Sequence, residues 1–137
     1  MRILKKILLF SLTVALLTTS VAASGNSAVQ PRHTYINTVS ASLTVNETTG
    51  TATCVATASA FTTPYVKVLC YLQRYQNGGW QTVKTWSNID SITAVVDETW
   101  HVEYGYTYRV RVVGQALDSS YTILESVVQF SKTHDYS

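Results

Sequence analysis

From Val66 to Tyr75 the chain alternates strictly. Val66, Val68, Cys70 and Leu72 occupy one set of positions, and Lys67, Leu69, Tyr71 and Gln73 the other. A period of two means an extended strand with one face turned to a core, and the first, more apolar set is the expected inner one. The run stops at Asn77-Gly78-Gly79, residues that supply the positive φ values of a tight hairpin turn. Other short runs of Thr, Val, Tyr and Ala recur between turn signals: Ala41–Val45, Thr51–Ala60, Trp80–Trp86, Ile92–Val102, Tyr106–Val112 and Tyr121–Phe130. Within them Ala52, Cys54, Ala56 and Ala58 share a face, so a second layer is expected to pack very close there. Tyr106, Tyr108, Val110 and Val112 face in, while Thr107, Arg109 and Arg111 face out. Asp97 and Glu98 interrupt the fifth run, which is expected to bend or bulge. About seven strands with turns every 8–12 residues predict an all-β, antiparallel sandwich of two sheets.

The N-terminal segment belongs outside that fold. Met1, Arg2, Lys5 and Lys6 precede an apolar run through Leu17, and the small residues Ser20–Ser24 follow. This order predicts a secretory signal peptide over residues 1–23. Its apolar core, about eleven residues, is shorter than the roughly 20 that a spanning helix needs. Residues 24–38 show no periodicity and read as a flexible leader, residues 39–132 as the sandwich, and 133–137 as a polar tail. Arg2, Lys5 and Lys6 leave with the signal, so ten Lys and Arg against eight Asp and Glu become seven against eight. A near-neutral exported domain gives no electrostatic reason to expect nucleic acid as a partner. No second apolar stretch is long enough to cross a membrane.

Two cysteines remain, Cys54 and Cys70. An even count in an exported chain favours a disulfide, here closing a loop of about 15 residues worth about 3 kcal/mol. The alternative is a pair of buried thiols acting as small core residues.

The strand count fits the immunoglobulin and fibronectin type III kind of sandwich. Gly105-Tyr106-Thr107-Tyr108-Arg109-Val110-Arg111-Val112 resembles the sixth strand of fibronectin type III domains. More broadly, Leu72-Gln73-Arg74, Trp80, Trp86 and Tyr108-Arg109-Val110 resemble a family of short secreted proteins of unknown function from Gram-positive bacteria. That resemblance implies export and a β-sandwich, and carries no activity with it.

A two-residue loop at Asn77-Gly78 pairs Tyr75 with Trp80, Gln73 with Thr82 and Leu69 with Trp86. Tyr71, Tyr75, Trp80 and Trp86 then share the outer face, because the side-chain period is two. In a fibronectin-like strand order Arg109 and Arg111 border those aromatics. The face so formed is a candidate platform for a surface protein or a glycan. It is equally a cross-strand ladder that stiffens the sheet, and the domain is then an assembly unit with no discrete ligand.

Catalytic, metal and cofactor sites find no support. His33, His101 and His134 are far apart, and neither cysteine has an adjacent His. Asp97 and Glu98 are consecutive on a strand and point to opposite faces. Asn46-Glu47-Thr48 fits the N-glycosylation pattern, which matters only in a host that glycosylates exported proteins.

Overall fold

The computed structural model describes residues 33–137. The expected signal peptide and most of the leader lie outside the described residues. Eight strands follow in order: β1 (Thr38–Asn46), β2 (Thr51–Ser59), β3 (Tyr65–Gln76), β4 (Gly79–Asp90), β5 (Thr93–His101), β6 (Tyr106–Leu117), β7 (Ile123–Phe130) and β8 (His134–Tyr136). They form two antiparallel sheets. One has the order β1-β2-β5; the other has β4-β3-β6-β7, with β8 also on β6. The all-β sandwich expected from the alternation is the observed fold.

The core lies between the sheets and is made by the inward half of each alternating run. Ala52, Cys54, Ala56 and Ala58 of β2 are fully buried, as are Val66, Val68, Cys70 and Leu72 of β3 and Val110 and Val112 of β6. The small residues of β2 let the sheets approach closely. A Cβ added at Gly114 of β6 would stand 3.0 Å from the Ala58 Cβ and 2.6 Å from Val39 Cγ2. Only glycine fits there, for want of space rather than for backbone freedom.

Two local features set the connections. Asn77 and Gly78 both have positive φ, 55° and 79°, as a two-residue hairpin loop with the right twist demands. At the crossover from β5 to β6 the Tyr108 hydroxyl donates to the Glu103 carbonyl at 2.8 Å and accepts from the Glu103 N–H at 3.0 Å. The ring itself is 1% exposed. This arrangement is a tyrosine corner, a device that pins a chain crossing between sheets.

Four expectations need correction. The sandwich starts before residue 39: Ile36 is in the core, and the N–H groups of Thr34 and Ile36 donate to the Glu125 carboxylate at 2.8 and 2.7 Å. The polar tail contains a strand, β8, because Tyr136 packs on the core and His134 reaches Glu47 at 3.0 Å. β5 neither bends nor bulges; it keeps an unbroken register with β2, since Asp97 and Glu98 are tolerated on an exposed edge strand. The bulge lies in β4 instead. The fourth concerns the cysteines. Cys54 and Cys70 sit in different sheets, both fully buried, and both are free thiols filling the core as small apolar residues. Burial, reinforced by Cys70, pushes the Cys54 thiol up to about 12; burial pushes Cys70 up to about 11. Both therefore stay protonated and unreactive at neutral pH.

Candidate functional site

Strand pairing builds the outer face of the five-stranded sheet row by row. Tyr75 lies opposite Trp80, and Gln73 lies between Thr82 of β4 and Arg109 of β6. Tyr71 lies between Thr85 and Arg111, and Arg111 lies opposite Phe130 of β7. The next row, Leu69, Val113 and Val128, is aliphatic, with Ser87 at its β4 end. The structure thus brings together five residues singled out from the sequence: Tyr71, Tyr75, Trp80, Arg109 and Arg111.

Contacts within the face are specific. The Arg109 guanidinium carbon stands 4.2 Å from the centroid of the Trp80 ring and 4.3 Å from that of Phe130. These rings lie on either side of β6 in the strand order, so the guanidinium is held between them. Arg109 Nε donates to Gln73 Oε1 at 2.9 Å, and Gln73 Nε2 donates to Thr82 Oγ1 at 3.3 Å. Arg111 covers the Tyr71 ring at 5.2 Å, and Tyr75 meets Trp80 edge-on at 5.3 Å. A cation over an aromatic ring gains about 0.5–1 kcal/mol at an exposed site. Partial burial, with the Arg111 charge beside it, lowers the Arg109 pKa from its ordinary value, yet a guanidinium remains charged at neutral pH.

Trp86 does not belong to this face. The pairing runs Gln73 with Thr82 but Leu72 with Lys84, so Val83 is an extra residue in β4. One inserted residue exchanges inside and outside for the rest of the strand. Trp86 is placed opposite Cys70 and packs against the core. There it meets Trp100 edge-on at 6.3 Å, with the Lys84 ammonium 4.5 Å above the Trp100 ring. Val83 packs on the core as well. The hairpin turn fixes register near Asn77 and Gly78, but it does not govern the far end of β4 once a bulge intervenes.

Phe130 was not foreseen as a member of the face. Its parity is visible in the last run, but its place depends on the register of β7 against β6, which no hairpin motif announces. Gln73 is the other contributor: it is buried, and it orients Arg109 and Thr82 together.

The outer face of the three-stranded sheet is different in kind. Ser40, Ser42, Thr44, Thr53, Thr57 and Thr99 alternate outward there, with Thr44, Thr53 and Thr99 in one row. Small hydroxyl side chains suit a solvated sheet and offer no aromatic surface. A cavity of about 100 Å³ at one end is bordered by Arg74, Trp100, Glu103 and Tyr108, and a larger one of about 420 Å³ is bordered by Trp86, Asn88, Asp97 and Glu98. In the smaller cavity Arg74 is paired with Glu103 at 3.4 Å. Among the described residues no three His, Cys, Asp or Glu side chains gather as metal ligands would.

The aromatic face can therefore stack flat rings on Tyr71, Tyr75, Trp80 and Phe130, and can donate hydrogen bonds from two guanidinium groups. Compared with known proteins, the chain matches no family model, no curated protein and no solved structure.

Proposed function

We propose that this chain is an exported, non-enzymatic, immunoglobulin-like module that binds a surface protein or a glycan through the outer face of its five-stranded sheet. The observation that carries the proposal is the gathering of exposed Tyr75 and Phe130 and half-buried Trp80 with Arg109 and Arg111 on one face. Trp, Tyr and Arg are the side chains that dominate binding hot spots. The strand order β1-β2-β5 against β4-β3-β6-β7 and the tyrosine corner support the immunoglobulin and fibronectin type III likeness. The basic, apolar and small-residue order of the first 24 residues supports export, as does the resemblance to short secreted Gram-positive proteins.

The two tryptophans test the proposal against each other. Trp80→Ala is expected to reduce retention of the secreted protein on intact cell-surface material by about tenfold or more, with an unchanged thermal melt. Trp86→Ala, which removes a ring from the core side, is expected to lower the melting temperature and to leave retention unchanged under conditions where the domain is folded. Equal retention by wild type and Trp80→Ala overturns the proposal. A wild-type oligomer that grows with concentration and dissociates on Trp80→Ala would mark the face as an assembly surface instead.

A further inference from the structure

We infer that the ligand of this face is anionic, a polymer bearing carboxylate or phosphate groups that Arg109 and Arg111 grip directly. The inference rests on the binding role proposed above and specifies its chemistry.

Charge on the molecule is segregated. The outward positions of β4, β3, β6 and β7 carry Lys67, Arg109 and Arg111 and no Asp or Glu; the acid on that side of the sheet is Asp135 of the short β8, opposite Thr107. The other acids lie in turns or crossovers (Glu47, Glu103, Asp118), on β5 (Asp97, Glu98), at the end of β4 (Asp90) and on the inward side of β7 (Glu125). Glu125 is occupied with backbone N–H groups, and Glu47 with His134. Arg74 has its own carboxylate partner in Glu103. Among the described residues neither Arg109 nor Arg111 has one. Arg109 and Arg111 stand two positions apart on one face of β6, with their Cα atoms about 7 Å from each other, and each charge disfavours the other. Their repulsion is relieved by a bound anion.

The groups are also prepared for such a ligand. Arg109 is held between Trp80 and Phe130 and tethered through Nε to Gln73. Its two terminal nitrogens keep their donors free of protein partners among the described residues. A fixed planar fork of this kind matches a carboxylate or phosphate with two parallel hydrogen bonds, and little side-chain freedom is lost on binding. A neutral sugar would use the rings and leave the paired charges unneutralised. The mature domain as a whole is close to neutral, so attraction to a polyanion is local to this face.

The test compares three polymers: dextran, carboxymethyl-dextran and poly(glycerol phosphate). The wild-type protein is expected to bind one or both charged polymers at least tenfold more tightly than dextran, with affinity falling as salt is raised. The charged polymer that binds more tightly identifies the acid group. Arg109→Gln and Arg111→Gln are each expected to lose about tenfold on the charged polymer. Lys84→Gln removes the same charge away from the face and is expected to change binding little. Equal binding of dextran, full binding by Arg109→Gln, or no binding of either charged polymer overturns the inference. If no charged polymer binds while Trp80→Ala still abolishes retention on cell-surface material, the face remains a binding site and only its anionic chemistry is lost. If Trp80→Ala is silent in both assays, the binding role falls as well.

Discussion

Tyr108 and Arg109 follow one another on β6 and face opposite ways. The Tyr108 hydroxyl, with its ring sealed in the core, makes both of its hydrogen bonds to the backbone of Glu103. Tyr108→Phe leaves the ring in place and the Glu103 backbone groups without their partner, at a cost of about 1–3 kcal/mol. Chemical denaturation should record that loss while polymer and cell-surface binding stay unchanged, because the hydroxyl is on the far side of the sheet from the aromatic face. Gly114→Ala drives a Cβ into Val39 and Ala58 and should cost about 1–3 kcal/mol through overpacking. The thiols make a pH-dependent prediction. Both have pKa values raised by burial, so above about pH 9 the unfolded chain releases protons that the folded chain retains. Stability should therefore fall as pH rises from about 9 toward 11 and be insensitive to these groups below about pH 8. The part of that slope due to thiols should vanish in the Cys54→Ala/Cys70→Ala variant, as it also would in a chain whose cysteines were oxidised to a disulfide. At this scale the sequence reveals which way each side chain points, from Tyr108 inward to Arg109 outward. What a side chain then touches, such as the Glu103 backbone or Phe130, depends on distant strands.

At the scale of strands, β4 shows what a pattern of letters conceals. The Asn77-Gly78 turn and the pairing of Tyr75 with Trp80 follow from residue types alone, because the turn geometry fixes the first few rungs. Val83 carries no turn signal. It sits in the bulge because, with the shift, both Val83 and Trp86 pack toward the core, where Trp100 of β5 is waiting. That demand arises in the other sheet and is invisible in the hairpin. Deleting Val83 should restore the simple register and turn Trp86 outward. Red-shifted tryptophan fluorescence and a lower denaturation midpoint are the expected results; an unchanged spectrum would mean that the strand re-forms its bulge elsewhere. β8 was hidden for a related reason. Three residues are too few for periodicity, and His134–Tyr136 become a strand only because the first half of β6 has an open edge.

For the whole molecule, the two outer surfaces have been given opposite characters on the same framework. One sheet turns hydroxyls outward; the other turns aromatic rings and unneutralised cations outward. The alternation that made the sandwich readable also made that division readable, since each outward set is the complement of a core set. Binding through a fixed, locally basic face should weaken steeply with ionic strength, whereas the fold itself, built on apolar contact, should not. Titrating salt against both binding and melting temperature checks the two together.

The displaced rung in β4 has one more consequence. β4 is the outermost strand of its sheet, and its free edge is where another chain could add on as a further strand. The extra residue at Val83 kinks that edge midway, and Lys84 beside it adds a charge. An incoming strand would find neither a straight ladder nor a continuous register. The kink and the charge thus work against strand addition along this edge, the kind of pairing that seeds fibres.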